Sequence, residues 1–445
     1  MDIGGLISGF GGMTYVVLAF VLALSVIVAV HEYGHYIVGR WSGIHAEVFS
    51  LGFGPVLYSR FDKRGTKWQI AALPFGGFVK FLGDADAASG KDGEVISEMD
   101  AAALRRTMHG APLWARSATV AAGPVFNFIM SILVFAAVLF FRGEAADPVT
   151  IGALKPLPVE NVQLVSGDKI KAVNGTEITD LSSLYSATET LSVASETTYT
   201  VNRDGSTREV TGPYPFPPLI EGLQAGSAAM DAGLMVGDVI TSVDNAPISA
   251  FKELQEIVAS NEGQPLLLSV WRDGATQEFT LAPRKVDLPG PDGGFETRWL
   301  IGMTGGLAFE PATVSPGVFN ALWYGGEQTV FIIKSSLSGL YHMIAGDIST
   351  CNLRGPIGIA ETSGAMASQG TVSFIWFIAV LSTAVGLLNL FPIPVLDGGH
   401  LVFHAYEAVV GRPPSDAALR VMMSVGLVVI LSLMVFGLTN DLFCP

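Results

Sequence analysis

Apolar residues form four long uncharged runs along the chain. They cover residues 3–30, 117–141, 362–396 and 421–440, and each is long enough for a helix to cross a bilayer. From about residue 148 to 310, β-branched residues instead alternate with charges and with Asn-Gly and Asp-Gly turns. The pattern predicts a multi-pass α-helical membrane protein with four transmembrane helices and an inserted soluble, β-rich region.

We place the spans at about residues 12–38, 117–141, 368–391 and 421–440. The first run lacks a basic segment before it, so it is not predicted to be a removable signal peptide. Residues 314–348 mix aromatic residues, glycines and charges, and a fifth span is one interpretation of them. We favour an amphipathic segment on the outer membrane surface, because Lys334 interrupts the apolar patch.

The patterns divide the chain into consecutive parts. Residues 1–147 form an N-terminal membrane part, in which short apolar runs broken by Gly and Pro predict a membrane-associated β-loop at about 66–82. The small and polar residues 84–100 predict a mobile linker. The remaining parts are two β-rich modules, the amphipathic segment and a C-terminal membrane part, at residues 148–215, 216–310, 311–360 and 361–445.

The two modules are imperfect repeats. Residues 165–175 recur as residues 235–245, and in each copy a Gly-Asp-x-Ile turn leads into a strand. Both copies resemble PDZ domains, and the second matches more closely because residues 221–223 and 227–234 precede its Gly-Asp turn as the family has them. The first copy has Pro156-Leu157-Pro158 where small residues are usual. The resemblance implies a tandem pair of PDZ domains, of which the first is divergent.

The charge of the chain limits its partners and its orientation. A net charge of −15 without a basic stripe argues against nucleic acid as a partner. Residues 40–116 hold ten Lys or Arg in 77 residues, whereas residues 142–354 hold thirteen in 213. Because basic loops stay in the cytoplasm, both termini and the β-rich region are predicted on the outer side of the membrane. The two cysteines, Cys351 and Cys444, then share an oxidising compartment, which permits a disulfide.

The sequence His31-Glu32-Tyr33-Gly34-His35 stands at the end of the first run. On a helix, residues four apart share a face, so His31 and His35 can bind one metal ion. Glu32 is then placed to accept a proton from the attacking water. An isolated histidine at a membrane edge is more often an interfacial residue, but the complete motif favours a zinc hydrolase whose metal lies at or inside the membrane.

A second motif closes the third run, with Pro392 and Pro394 ahead of Asp397 and His400. Two prolines break a helix, and exposed backbone inside a membrane is tolerated only where it lines protein or a watery cavity. Asp397 is therefore the candidate third ligand, with a helix N-cap as the alternative. His400 is either a partner of the ligands or a plain interfacial histidine.

Further residues are candidates for contact with substrate or ligands. Asn389, Pro392 and Pro394 could hold a substrate backbone, although structural hydrogen bonding is a close alternative for Asn389. The β-loop around Gly76, Gly77 and Phe78 could pair its free edge with an extended substrate, and an ordinary cytoplasmic hairpin is the competing interpretation. Asn127, inside the second run, needs an internal partner and is predicted to face the bundle interior.

The two motifs, on spans that flank a PDZ-like region, resemble the site-2 protease family of intramembrane zinc metalloproteases, and most closely the bacterial regulator-of-sigma-E protease type. The resemblance implies one Zn²⁺ per chain, ligated by His31, His35 and Asp397, with Glu32 as the catalytic base. It also implies a bacterial inner-membrane enzyme of envelope stress signalling, and the loop charges predict that its active site lies toward the cytoplasm. The implied substrates are single-span membrane proteins of the anti-sigma factor type, cut after an upstream site-1 protease, and remnant signal peptides.

Two functions of other classes remain open from the residues alone. A membrane scaffold with tandem PDZ domains and a dead active site would explain the β-rich region, but not the retained Glu32 and both metal motifs. A zinc transporter would explain ligands in the membrane, but it needs neither a general base nor PDZ domains.

Overall fold

A computed structural model of the chain describes residues 3–84, 96–289 and 295–444. The chain forms two compact units. The first comprises residues 1–137, 322–341 and 350–445, and the second comprises residues 138–321 and 342–349. Of the predicted linker at 84–100, residues 85–95 lie outside the described part of the chain.

The helices are numbered in chain order. They are α1 (Ile3–Trp41), α2 (Ala101–Arg105), α3 (Leu113–Arg142), α4 (Leu181–Thr190), α5 (Ala228–Asp231), α6 (Phe251–Ser260), α7 (Gly317–Ala345), α8 (Pro356–Ser368), α9 (Thr371–Asn389), α10 (Asp397–Val410) and α11 (Asp416–Phe443). Among the described residues, four helical stretches are long and apolar enough to cross a membrane: Gly12–Trp41, Leu113–Arg142, Thr371–Asn389 and Asp416–Phe443. They coincide with the four predicted spans to within a few residues, and α7 is not among them.

The strands are numbered in the same way. They are β1 (Ala46–Phe61), β2 (Lys67–Phe81), β3 (Glu144–Ala145), β4 (Ile151–Leu154), β5 (Lys169–Val173), β6 (Thr176–Glu177), β7 (Thr197–Arg203), β8 (Ser206–Gly212), β9 (Ile220–Leu223), β10 (Val239–Val243), β11 (Ala246–Pro247), β12 (Leu266–Arg272), β13 (Ala275–Leu281), β14 (Arg284–Pro289), β15 (Phe295–Leu300), β16 (Met303–Gly305), β17 (Phe309–Pro311) and β18 (Thr313–Val314).

In the first unit, β1 and β2 form a β-loop that is larger than the predicted segment 66–82. Val48 pairs with both Lys67 and Lys80, so the two halves of β2 lie on opposite sides of β1. Residues 77–81 therefore form an edge, and among the described residues β1 is the only strand with which they pair. A small aromatic core anchors the loop to the end of α1, because Tyr36 packs against Phe49 and Trp68.

The C-terminal end of α11 is tied to the segment before α8. Cys351 and Cys444 form a disulfide, so the pairing that the shared compartment permits is present. The carboxylate of Asp441 accepts hydrogen bonds from the backbone N–H groups of Gly355 at 2.7 Å and Ile357 at 3.0 Å. These contacts supply the first turn of α8 with acceptors for its otherwise unpaired N–H groups.

The second unit contains two four-stranded sheets with the same order of strands, β6-β5-β7-β8 and β11-β10-β12-β13. Each sheet carries one helix, α4 or α6, and its own hydrophobic core. The Gly-Asp turns also match, because Asp168 binds Arg203 in the first module and Asp238 binds Arg272 in the second. The aspartates lie buried, and each also accepts the N–H of the residue three positions before it.

Both modules are completed by strands from residues 303–311. β16 pairs with β9 in the second module, and β17 pairs with β4 in the first. Residues 307–309 belong to the core of the first module, although they follow the whole second module in sequence. The second module is thus inserted into the first. Ala250 of the second module also belongs to the core of the first, and Phe216 packs against both cores. The boundary between residues 215 and 216 stays a prediction.

Candidate metal centre and active site

Three ligand-type side chains converge in the membrane unit. The Nε2 atoms of His31 and His35 lie 3.1 Å apart, and they lie 3.2 and 3.5 Å from the carboxylate oxygens of Asp397. The histidines come from α1 and the aspartate is the first residue of α10. The residue at the N-cap of α10 is Leu396, so the alternative role of Asp397 as an N-cap does not apply.

The hydrogen bonds around this cluster leave two acceptors facing each other beside Nε2 of His31, namely Nε2 of His35 and the carboxylate of Asp397. The Nδ1–H of His35 donates to the carbonyl of Thr119 at 2.8 Å, so a neutral His35 presents the lone pair of Nε2 to the cluster. The Oδ2 atom of Asp397 is buried without a hydrogen-bond partner. The three side chains are only 12%, 13% and 17% exposed. Converging acceptors repel one another unless a cation lies between them, and two imidazoles with one carboxylate suit Zn²⁺ with an open fourth position.

Glycine makes room for the two imidazole rings. A Cβ atom on Gly123 of α3 would lie 2.4 Å from Nε2 of His35 and 2.7 Å from Cε1 of His31. A Cβ atom on Gly34 would lie 2.5 Å from the carbonyl oxygen of Ala122, so α1 and α3 are in backbone contact beside the site. Any larger residue at position 123 would displace the ligands.

Glu32 lies between the ligand cluster and the edge strand of the β-loop. A Cβ atom on Gly77 would lie 3.2 Å from Cγ of Glu32, and the backbone N–H of Val79 is hydrogen-bonded to the Glu32 carboxylate. A carboxylate beside both a metal-type cluster and the outer strand of a sheet can accept a proton close to a bound peptide bond.

Asn127 is fully buried on α3, as the sequence predicts. Its backbone carbonyl accepts hydrogen bonds from the hydroxyls of Ser131 and Ser382, both at 3.0 Å. Its side-chain amide lies 3.2 Å from Nδ1 of His31. Asn127 is therefore held in place by α3 and α9 and touches a candidate ligand directly.

The other predicted site residues are more dispersed. Asn389 donates to Val385 O of its own helix at 3.0 Å, which is the structural hydrogen bond named as its alternative. Pro394 packs against Gly426 of α11, whereas Pro392 is exposed. Burial lowers the pKa of His400, and its ring lies 6.0 Å from that of Phe403.

In the β-loop, the predicted substrate residues surround the turn of β2. Gly76 has a φ of 140°, which favours glycine, and Phe78 stacks on Phe53 with ring centres 6.0 Å apart. Gly77 is the member of this group that approaches Glu32.

Several residues of the site carry no clear signal in the sequence. Thr119 contributes only its backbone carbonyl, which any residue type could supply. Gly123 is visible in sequence as part of Gly123-Pro124, but there it indicates close helix packing in general. The pairing of Arg116 with Glu407 joins residues of helices far apart in the chain.

Comparisons with known proteins give the family. The model of peptidase family M50 matches residues 19–433. The chain belongs to peptidase family M50. It is 35% identical over 436 residues to “Putative zinc metalloprotease Atu1380” of Agrobacterium fabrum, which covers 97% of each chain. It is 33% identical over 452 residues to “Regulator of sigma-E protease RseP” of Salmonella typhimurium, which covers 95% of this chain and 97% of that one.

Membership of family M50 agrees with the resemblance to site-2 proteases. The protein is a zinc metalloendopeptidase, and its His-His-Asp cluster provides a group able to bind the metal. The family match and the four apolar helices support a multi-pass protein of the inner membrane. A zinc transporter does not account for this match to a peptidase family, and a scaffold with a dead active site does not account for the assembled His-His-Asp cluster.

Proposed function

We propose that this M50 peptidase cleaves single-span membrane proteins within the membrane. The convergence of His31, His35 and Asp397 beside Glu32 and the outer strand of the β-loop, in a unit of long apolar helices, carries this proposal. The named relative from Salmonella typhimurium is a regulator-of-sigma-E protease. A role in envelope stress signalling, with an anti-sigma factor as substrate, follows for this chain by analogy.

In this proposal His31, His35 and Asp397 hold one Zn²⁺. Zinc at such a site supplies a Lewis acid that polarises a carbonyl and lowers the pKa of bound water to about 7. Glu32 takes the proton from the attacking water and passes it to the leaving amine. The Thr119 carbonyl keeps the proton of His35 on Nδ1, and thereby keeps Nε2 available as a ligand.

Asn127 would keep the proton of His31 on Nδ1, as the Thr119 carbonyl does for His35. A ligating Nε2 leaves Nδ1 of His31 protonated, so its partner must be an acceptor. If the amide oxygen of Asn127, Oδ1, is turned toward His31, it accepts the hydrogen bond of Nδ1–H. This oxygen otherwise has no hydrogen-bond partner. His400, three residues after Asp397, would contribute to the polar surroundings of the ligands from α10.

Substrate binding would use the edge of the β-loop. A helical substrate hides its carbonyls in hydrogen bonds and must be unwound before cleavage. Residues 77–81 form an outer strand of the β-loop next to Glu32, so an unwound segment can add to the sheet as a further strand. The other side of the bound substrate segment would be lined by residues in and after the last turn of α9, namely Asn389, Pro392 and Pro394.

The β-rich region is proposed to be a tandem of PDZ domains that acts as a gate. Its location on the periplasmic side with both termini, and the orientation of the active site toward the cytoplasm, follow from the charges of the loops. Two modules that exclude a bulky outer domain would admit only a substrate trimmed by an upstream site-1 protease. Selectivity of this kind requires a steric clash with untrimmed substrate. It does not require tight binding of a peptide.

The proposal is tested with Glu32→Gln and Asp397→Ala in the full chain. We expect Glu32→Gln to keep about one zinc per chain and to lose cleavage by at least about 100-fold, because only the proton acceptor is removed. Asp397→Ala should lower both zinc content and cleavage. Glu278→Gln, an exposed residue of β13, is the matched control and should change neither.

The Glu32→Gln protein also serves to identify the substrate. Crosslinking in membranes followed by mass spectrometry should recover single-span proteins that lack their outer domain. Full cleavage by Glu32→Gln, or exclusive recovery of soluble proteins, would contradict the proposal.

A further inference from the structure

The helix that carries Asp397 has few apolar contacts to hold it in place. Among its 14 residues, only Gly398 and Gly399 are buried. Val402, Tyr406 and Val409 are 49%, 45% and 87% exposed. Leu396, at the N-cap, makes no side-chain capping hydrogen bond, and the Oδ2 atom of Asp397 has no hydrogen-bond partner. These contacts therefore do not fix the position of Asp397. The direction of α10 must therefore be set by other contacts along the helix.

Polar contacts with α3 supply such a constraint in the last turns of α10. The guanidinium of Arg116 donates to both carboxylate oxygens of Glu407, at 2.9 and 2.6 Å. One turn earlier, the ring of His404 lies 3.2 Å from the hydroxyl of Ser117. Arg116 and Glu407 are only 16% and 17% exposed, and Arg116 also donates from Nε to the carbonyl of Ala111. We call the Arg116–Glu407 and Ser117–His404 contacts the α3–α10 clasp.

The clasp lies on the same face of α10 as the metal ligand. His404 and Glu407 follow Asp397 by seven and ten residues, which places all three within about 80° around the helix axis. The distance along the axis from Asp397 to Glu407 is about 15 Å. Contacts at this distance from the glycine-packed start of the helix fix the direction in which Asp397 is presented.

Helix α3 also positions the other two ligands. Its residue Thr119 accepts the hydrogen bond of His35, and its residue Gly123 makes room for both imidazoles. Arg116, Thr119 and Gly123 are three and four residues apart, so they share one face of α3. A single helix thus contacts His31 and His35 directly and also contacts the helix that carries Asp397.

We propose that Arg116 and Glu407 are positioning residues, which hold α10 on α3 so that Asp397 reaches the zinc bound by His31 and His35. The inference rests on the proposed role of Asp397 as a ligand. The hydrogen bonds from Arg116 also hold the pKa of the Glu407 carboxyl below its usual range. Bidentate pairs of this kind combine charge with a fixed geometry, which a lysine in place of Arg116 would not reproduce.

The test measures the affinity of the purified full chain for zinc, by competition with a chelator, and the visible absorption spectrum of the cobalt-substituted protein. The variants are Arg116→Met, Glu407→Gln, their combination and the charge-swapped double variant Arg116→Glu with Glu407→Arg. Asp397→Ala is the reference for loss of a ligand. Arg284→Met with Asp231→Asn, an exposed ion pair of the second module, is the matched control.

Arg116→Met and Glu407→Gln should each raise the dissociation constant for zinc about 10- to 100-fold and change the cobalt spectrum, as loss of an outer partner of a metal ligand does. The combined variant should be no worse than either single one, and the swapped pair should recover most of the affinity. The control should bind zinc as the wild type does. A purely structural pair would leave the cobalt spectrum unchanged in the folded protein.

Two results would overturn the inference. One of them leaves Asp397 as a ligand, and the other removes that assignment as well. If Asp397→Ala loses zinc while Glu407→Gln binds it as the wild type does, the clasp has no positioning role and Asp397 remains a ligand. If Asp397→Ala itself retains wild-type affinity, the ligand assignment fails and the inference fails with it. Should Arg116→Met not fold, the nearly isosteric Glu407→Gln decides between these outcomes.

Discussion

Gly123 lies where two imidazole rings and a neighbouring helix meet. We expect Gly123→Ala to lower both zinc affinity and cleavage, by at least about tenfold each, because the new methyl group would overlap Nε2 of His35. Gly326→Ala is the matched control, since this glycine of α7 has no atom within 4 Å of the added Cβ. Zinc content by atomic absorption and a peptide cleavage assay measure the effect. An unchanged zinc affinity in Gly123→Ala would contradict the packing described here.

Gly77 provides a contrasting substitution, because it approaches Glu32 and not the ligands. A methyl group there would lie 2.7 Å from the carbonyl of Ser50 and 3.2 Å from Cγ of Glu32. Gly77→Ala should therefore reduce kcat about tenfold or more while zinc content stays near that of the wild type. Loss of zinc in this variant would show that the edge strand supports the metal site itself.

At the residue scale, the sequence was informative where the chemistry depends on side chains at fixed spacing. His31, Glu32 and His35 are recognisable because a helix brings residues four apart to one face. Asp397 is recognisable because it follows a proline-broken span. The partners of these residues are not, since the Thr119 carbonyl has no residue-specific signal and the Arg116–Glu407 contact depends on how distant helices pack.

The tie between α11 and the segment before α8 combines a covalent bond with hydrogen bonds. Cys351 and Cys444 are separated by 93 residues, and crosslinks that close long loops stabilise by about 2 to 5 kcal/mol. We expect the Cys351→Ser, Cys444→Ser double variant to fold with a lowered Tm, because Asp441 still holds Gly355 and Ile357. Adding Asp441→Ala should lower Tm further. Alkylation of non-reduced wild-type protein should label neither cysteine, and labelling of both would exclude the bond.

The Asp168–Arg203 contact makes the stability of the first module depend on pH. Burial alone would raise the pKa of Asp168, but hydrogen bonds from Arg203 and from the N–H of Val165 outweigh it and hold the pKa below its usual range. The stabilisation is therefore complete above the ordinary pKa of aspartate, about 3.9, and is lost as pH falls through the lower folded-state value.

Hydrogen exchange in the full chain measures this dependence. At pH 7, amides of β5 and β7 should exchange roughly ten- to a hundredfold faster in Asp168→Asn than in the wild type, because a buried charged hydrogen bond is lost. The difference should shrink once the pH falls below about 4. A difference that stays constant down to pH 3 would assign the effect to packing instead of charge.

At the element scale, periodicity and apolar length located the spans to within a few residues. They did not indicate α8 and α10, because Gly, Ala and Ser dilute the apolar signal in α8 and because α10 follows two prolines. The return of β16 and β17 to complete the two modules was also not predicted. Strand pairing between distant segments is decided by the register of a whole sheet, which a local pattern does not contain.

For the molecule as a whole, the β-rich region begins and ends at neighbouring residues. β3 pairs with β18, and the N–H of Ala146 donates to the carbonyl of Ala312 at 2.8 Å. Residues 147–311 can thus be excised by joining Ala146 to Ala312 through an Asn-Gly turn. If the modules act as a gate, the shortened enzyme should cut untrimmed substrate and retain its cleavage of the trimmed form. A folded, zinc-loaded deletion protein that no longer cuts trimmed substrate would indicate that the modules deliver substrate.

The proposed metal ligands lie on α1 and α10, and their separation along the chain has a consequence for the time at which the site is assembled. Ribosomes add about 5 to 20 residues per second, so Asp397 is synthesised on the order of 20 to 70 seconds after His35. If the three residues hold the zinc as proposed, the nascent chain carries His31, Glu32 and His35 without a third ligand during this interval, while other newly inserted membrane proteins surround it. The protease would therefore be unable to cleave them until Asp397 has been added.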